Sequence, residues 1–237
     1  MSVFKIDGKK IWVAGHNGMV GRALVRQLEK KNCKILTVNR QSLDLTIQQD
    51  VNQWVSQNKP DIVIICAAKV GGILANNNYP AEFLYQNLMI ETNIINAAYI
   101  NQISKLLFLG SSCIYPKYAS QPIKESELLT APLESTNEWY ALAKIAGIKL
   151  CQAYRKQYSS NFISAMPTNL YGPYDNFDLE SSHVIPALIR KTHDAFIENR
   201  KAIKVWGSGL PKREFMHVDD CAEGIIFLLE NYSDYEH

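Results

Sequence analysis

The 237-residue chain has little of what would mark an unusual setting. Its five cysteines, Cys33, Cys66, Cys113, Cys151 and Cys221, are odd in number and widely spaced, with no CxxC pair and no metal-ligand run. That pattern argues against a disulfide framework or a zinc module and makes a reduced, cytoplasmic protein the expectation. No apolar run approaches the ~18 residues a membrane span needs, and the start, Met1 to Asp7, has no signal-peptide stretch. Charge of one sign is missing too: 25 Lys and Arg stand against 23 Asp and Glu, a net +2. No molecule-wide field draws such a chain to nucleic acid or membrane, so any anion site must be local. Internal repeats and low-complexity tracts are absent. What is there, 47% hydrophobic and 20% charged residues, suffices for one large core, or for a core plus a small lobe.

Apolar runs rich in β-branched residues recur at Lys10–Ala14, Lys34–Asn39, Asp61–Ala67, Lys105–Gly110 and Asn161–Met166, each the length of a buried strand. Helix-period segments separate them. Val20, Leu24, Val25 and Leu28 share one face between Gly18 and Lys31, and Phe83, Leu84, Leu88, Ile94, Ile95 and Ala98 share another between Pro80 and Ala98. Strand and helix in alternation predict an α/β fold, a Rossmann-type doubly wound parallel sheet with right-handed crossovers. After Met166 the rhythm breaks at Pro167, Gly172 and Pro173, and Ser182–Asn199 reads as a helix. The predicted division is a dinucleotide-binding domain over 1–170 and a smaller substrate lobe over 171–237, whose last helix returns to the first domain.

Directly after the first strand comes Gly15-His16-Asn17-Gly18-Met19-Val20-Gly21. Glycines permit a tight turn and close backbone approach, and the helix that follows presents free N–H groups to a pyrophosphate. Three glycines alone also fit a plain strand-to-helix turn; the flanking strand and helix are what point to a dinucleotide. The second strand ends Val38-Asn39-Arg40 rather than in an acid, which favours a 2′-phosphate and hence NADP(H) over NAD, unless Arg40 is an ordinary surface arginine. Asp44, in Leu43-Asp44-Leu45, is expected near the adenine.

Gly110-Ser111-Ser112-Cys113-Ile114-Tyr115-Pro116 follows the fourth strand, at the carboxyl edge where parallel sheets bind ligands. Tyr140 and Lys144 lie four apart, on one face of a helix. A free phenol, with a pKa near ~10, is a sluggish proton donor at neutral pH, and lowering it by three units takes about 4 kcal/mol of differential stabilisation. A nearby ammonium and the nicotinamide charge are the expected sources. A YxxxK spacing also arises by chance on amphipathic helices; with the glycine loop and the serine-bearing strand end it becomes specific.

Through these residues the sequence resembles the extended short-chain dehydrogenase/reductase family, whose Ser, Tyr and Lys triad maps onto Ser111, Tyr140 and Lys144. Ser111 is taken over Ser112 because in relatives the catalytic serine lies four residues before the tyrosine of this segment, here Tyr115. Longer motifs narrow the resemblance to the family's GDP-4-keto-6-deoxymannose 3,5-epimerase/4-reductases: Ala67-Ala68-Lys69-Val70-Gly71-Gly72-Ile73, the Gly110–Pro116 segment, Met166-Pro167-Thr168-Asn169-Leu170-Tyr171-Gly172-Pro173, Ser182-His183-Val184-Ile185-Pro186-Ala187 and Val205-Trp206-Gly207-Ser208-Gly209. The resemblance implies NADPH-dependent formation of GDP-L-fucose, with Cys113 as base and His183 as acid for inversion at C3 and C5. By residue type alone Cys113 fits a buried small hydrophobe as well. His183 fits a helix-capping turn, and the helix dipole there opposes an imidazolium, so an acid role needs a compensating partner. The resemblance further implies cofactor contacts from Gly15, Asn17, Gly18, Met19, Val20, Gly21, Arg40, Asp44, Leu45, Ala67, Ala68, Lys144, Pro167, Asn169, Leu170 and His183. It places Lys191, Trp206 and Arg213 on the GDP-sugar, and implies a homodimer through a four-helix seam of the segments around Pro80–Ala98 and Tyr140–Tyr158.

Two substitutions depart from the family pattern. Asn17 stands where relatives often carry a basic residue, and Lys191 where they carry arginine, which exchanges a forked donor for a point charge. Relatives are expected to continue for several tens of residues past the helix that ends near Asn231. Two other readings therefore stay open from sequence: a dinucleotide-binding fragment without turnover, and another nucleotide-sugar 4-reductase or 4-epimerase that uses the triad alone.

Overall fold

The computed structural model describes residues 4–179, 181–210 and 212–233. Five short strands, β1 (Lys10–Ala14), β2 (Lys34–Leu36), β3 (Ile62–Ile65), β4 (Lys105–Leu109) and β5 (Phe162–Ala165), form one sheet in the order β2-β1-β3-β4-β5. Every pairing is parallel. The inner strands β3 (IVII) and β4 (KLLFL) are buried at every position, as expected where helices cover both faces of a parallel sheet.

Alternation along the strands sorts the side chains into two cores. Trp12, Val63, Ile65, Leu106 and Phe108 point to one face and meet α2 (Gln48–Asn58), α4 (Pro80–Ile100) and α5 (Glu138–Tyr158). Ile11, Val13, Ile62, Ile64 and Leu107 point to the other and meet α1 (Met19–Leu28) and α7 (Val218–Asn231). Chain connections run outward in opposite senses from β1 and β3, so a crevice opens at their carboxyl ends. Crevices of this kind take ligands in doubly wound sheets.

Two features differ from the expectation. β2 stops at Leu36, because this edge strand has one partner and pairs with β1 only from Lys34 to Leu36. A second, two-stranded parallel sheet joins β6 (Asn169–Tyr171) to β7 (Phe215–His217); three-residue strands carry too little periodicity to be read from sequence. At α7 the cap is His217, whose Nδ1 accepts from the Asp219 amide at 3.3 Å. Asp219 pairs with Arg26 of α1, tying α7 to the first helix. Completing the chain order are the short helix α3 (Ile73–Asn78) and α6 (Val184–Ile197). Among the described residues no helix is long and apolar enough to cross a membrane, and all five thiols are free.

Candidate active site

The glycine loop is built by backbone contact. Gly15 has φ +92°, and a Cβ there would lie 2.5 Å from the Ala67 nitrogen. At Gly21 a Cβ would stand 2.2 Å from the Gly15 carbonyl oxygen. These two glycines hold α1 against β1 and β3, leaving Gly18 at the N-cap with no side chain over the helix entrance. The first turn of α1 therefore presents open N–H groups, which fits a pyrophosphate. The Asn17 amide donates to Asn39 Oδ1 at 2.9 Å, joining this loop to the chain after β2. Arg40 is exposed there, and Asp44 is committed locally: its Oδ1 accepts from the Thr46 amide at 2.9 Å and the Thr46 hydroxyl at 2.7 Å. Those two bonds, helped by Arg40, hold the carboxyl below its usual range. The Leu45 carbonyl is fixed by Asn93 of α4 at 3.0 Å.

The neighbouring loop, with Ala67 and Ala68 half-buried, is held by a side chain that went unnoticed in the sequence. Asn87 of α4 accepts from the Lys69 amide at 2.7 Å and donates to the Lys69 carbonyl at 3.0 Å, a backbone-like clamp. Further along, the Gly72 amide donates to the Ser181 carbonyl at 2.9 Å, so the loop also anchors the segment that carries His183.

At the carboxyl end of β4 the chain turns into a short 3-10 helix over Ser112–Ile114, with Ser111 in extended conformation just before it. Ser112 is exposed, whereas Ser111 and Cys113 are half-buried. Lys144 is only 3% exposed; its ammonium donates to the Leu109 carbonyl at 2.9 Å and lies 4.5 Å over the Phe108 ring and 5.8 Å from the Tyr140 ring centre. Burial pushes the Cys113 thiol up, while the Ser111 hydroxyl and the Lys144 ammonium pull it back. Tyr140 packs edge-on against Phe83, with ring centres 6.4 Å apart. Four dispersed residues, Ser111, Cys113, Tyr140 and Lys144, thus meet at one strand end.

Of the two expected sources of acidification, the neighbouring ammonium does not by itself lower the phenol. Tyr140 is not acidified: burial first, then Cys113 and Glu91, raise it above an ordinary phenol. The physical reason is that the fold takes the phenol out of water and sets a thiol and a carboxyl group beside it. Such a phenol stays protonated across the neutral range, the state a proton donor needs.

His183 is the N-cap residue of α6, exposed, with no side-chain capping bond, so the capping alternative has no hydrogen bond behind it. Asp175 stands within electrostatic reach of it. Burial raises the Asp175 carboxyl, and the Asn176 amide and His183 work the other way. Pro167 and Leu170 are half-buried and Asn169 exposed on the short second sheet; Thr168 and Asn169 both donate to the Glu214 carbonyl, at 3.1 and 3.0 Å. That places exposed Arg213 next to the cofactor-side loop. Lys191 lies 4.4 Å over the Trp206 ring and donates to the Lys204 carbonyl at 3.2 Å, so these two predicted substrate residues meet.

The geometry has counterparts among known proteins. Residues 11–237 match the model of the NAD dependent epimerase/dehydratase family. The GDP-L-fucose synthase of Sinorhizobium fredii (strain NBRC 101917 / NGR234) is 60% identical over 237 residues, all of this chain and 76% of that protein. The chain belongs to the GDP-L-fucose synthases of this family. A solved GDP-L-fucose synthetase from Naegleria fowleri bound to NADP superposes with TM-score 0.89 at 31% identity, covering 100% of this chain and 77% of that one. The GDP-mannoheptose C4 reductase MlghC from Campylobacter jejuni with NADP bound gives TM-score 0.88 at 35% identity, with coverage of 99% and 80%. Membership in the GDP-L-fucose synthases directs attention to what a two-stage sugar site requires: proton handling at two carbons besides reduction at a third. Sequence reasoning missed Asn87, Glu91 and Asp175. The first two had a signal, since Phe83, Asn87 and Glu91 fall at i, i+4 and i+8 and put polar groups on the face α4 buries.

Proposed function

We propose that the protein is an NADP-dependent epimerase/reductase that converts GDP-4-keto-6-deoxy-D-mannose to GDP-L-fucose. The observation that carries this is the meeting of Ser111, Cys113, Tyr140 and Lys144 at the end of β4, beside a glycine cradle that a Cβ would fill. Gly15, Gly18 and Gly21, with the N–H groups of Met19 and Val20, would hold the pyrophosphate. Asn17 and Arg40 would face the adenosine phosphate, with Asp44 and Leu45 beside the adenine. When bound, the reduced nicotinamide supplies a hydride for C4.

The chain's own residues would act in order. The C4 ketone acidifies the neighbouring C–H groups at C3 and C5; the Cys113 thiolate removes a proton from one face and His183 returns one from the other. Ser111 donates to the ketone oxygen throughout. As the oxygen becomes an alkoxide during reduction, the Tyr140 hydroxyl gives it a proton, and Lys144 stabilises the phenolate left behind. Burial of Cys113 makes its thiolate scarce but strongly basic, a suitable trade for abstracting protons from carbon.

In this reading residues 1–170 carry the cofactor and 171–237 the sugar nucleotide, with Lys191 and Arg213 on the diphosphate and Trp206 near the sugar. Exposed Tyr85 and Ile100 on α4, with Leu142 and Tyr158 on α5, suit a homodimer across those two helices, and free thiols suit a reducing cytoplasm. The deciding experiment mixes the protein with GDP-4-keto-6-deoxymannose and NADPH, following loss of NADPH absorbance and the sugar formed. GDP-L-fucose is the expected product; cofactor binding without oxidation, or reduction without inversion at C3 and C5, overturns the assignment.

A further inference from the structure

The Gly71-Gly72 pair between β3 and α3 has no task in the scheme above. The Gly72 amide donates to the Ser181 carbonyl at 2.9 Å, and a Cβ at Gly72 would stand 3.0 Å from the Ser182 carbonyl oxygen and 3.3 Å from that of Ser181. Gly72 has φ −65°, which any residue adopts, so glycine supplies close approach here and not backbone freedom. On the other side of the turn a Cβ at Gly71 would meet the Ala75 Cβ at 3.0 Å and the Phe83 ring at 3.1 Å. Phe83 is 1% exposed and packs against Tyr140, which leaves the turn no room to retreat. Asn76, buried in α3, fastens both glycines: its Nδ2 donates to the Gly71 carbonyl at 2.8 Å and to the Gly72 carbonyl at 3.1 Å.

Ser181 and Ser182 lead directly into His183, which opens α6. That helix buries only Pro186 and Ala195, too little apolar contact to fix its entrance by packing. We infer that Gly72 and Asn76 are positioning residues of this site: the turn they build sets where His183 stands relative to Tyr140. Wedged between the buried Phe83 ring and the half-buried serines, the turn passes any added bulk to the serine side, the side that leads to His183. Returning a proton to carbon requires His183 within reach of C3 and C5, and a misplacement of about 1 Å can cost about 10²-fold in rate. Hydride transfer to C4 and protonation by Tyr140 do not pass through His183, so the two halves of the reaction respond differently when the turn is altered.

The inference rests on the proposed epimerase role of His183, so its test has one arm that needs no substrate. The Ser182 and Ala187 amides donate to the Asp178 and His183 carbonyls at 2.9 and 3.0 Å. In Gly72→Ala and in Asn76→Ala both amides should exchange with deuterated water about tenfold faster, while the amides of β4 and α5 keep their wild-type rates. A rise in either variant ties the turn to the His183 segment; unchanged exchange in both overturns the inference whatever the substrate is. The second arm supplies keto sugar and NADPH in deuterated water. In either variant the ratio of deuterium entering C3 and C5 to hydride reaching C4 should fall by about 10- to 100-fold, with NADPH affinity unchanged. A ratio equal to the wild type's, whether both rates hold or fall together, overturns the positioning role. Failure of the wild type to invert the sugar counts against the assignment of function, and the exchange arm then judges the turn by itself.

Discussion

The two ends of the crevice are made in opposite ways. At β1 and α1 the site consists of backbone, with Gly15 and Gly21 letting main chain lie against main chain at distances no side chain tolerates. At β4 and α5 it consists of side chains whose charges are set by burial: Lys144 at 3% exposure, Glu91 at 1%, and Cys113 raised by desolvation. A backbone-built site binds through fixed dipoles and fails when an atom is added. A side-chain-built site works through proton affinities and fails when a charge is removed.

The largest effects are expected at the side-chain end. Tyr140→Phe keeps the ring that packs on Phe83 and removes only the donor, so reduction should fall by about 10²–10⁴-fold while NADPH affinity and thermal midpoint hold. Stopped-flow NADPH oxidation with a parallel binding titration checks this; a loss shared equally by binding and turnover would mean that the phenol serves structure. Cys113→Ser in deuterated water should likewise abolish label uptake at C3 and C5. Because the thiol is raised by burial, wild-type uptake should climb with pH through the neutral range as the thiolate fraction grows. A flat profile would remove Cys113 as the base.

At the backbone end Gly15→Ala should weaken NADPH binding rather than chemistry. The residue needs φ +92° and meets the Ala67 backbone at 2.5 Å, so an alanine forces β1 and β3 apart at a cost of about 1–3 kcal/mol, roughly 5- to 150-fold in affinity. Calorimetric titration reads this directly. An unchanged dissociation constant would show that this loop is only a turn.

The same contrast explains what was legible in the sequence. Lys10–Ala14 was bounded correctly because its run is short, apolar and closed by glycine, and the cofactor loop was visible because it is continuous in the chain. Ser111, Tyr140 and Lys144, which the fold brings to one strand end, were singled out through spacing and family motifs. Glu91 was not, because only the fold shows this carboxyl buried against α5, and α4's apolar pattern absorbed it. What the neighbouring ammonium leaves undone at Tyr140 was not legible either: sequence places an ammonium four residues on, but only the fold shows how deeply the phenol is buried. The β6–β7 pair escaped notice because three residues per strand have no period to read.

Arg40 gives the smallest expected effect and the finest test of the backbone end. It is exposed, next to a loop already fastened by the Asn17 to Asn39 hydrogen bond, and the nearby Asp44 carboxyl is engaged by Thr46. The guanidinium is therefore available to a 2′-phosphate at little cost in local structure. One charge-assisted contact that stays partly solvated contributes on the order of 1.5 kcal/mol, or about tenfold in affinity. Arg40→Ser should thus weaken NADPH about tenfold and leave NADH unchanged, because NADH carries no phosphate to lose. Equal weakening of both cofactors would show that Arg40 supports the loop, and phosphate selection would then fall to Asn17 and the N–H groups of α1.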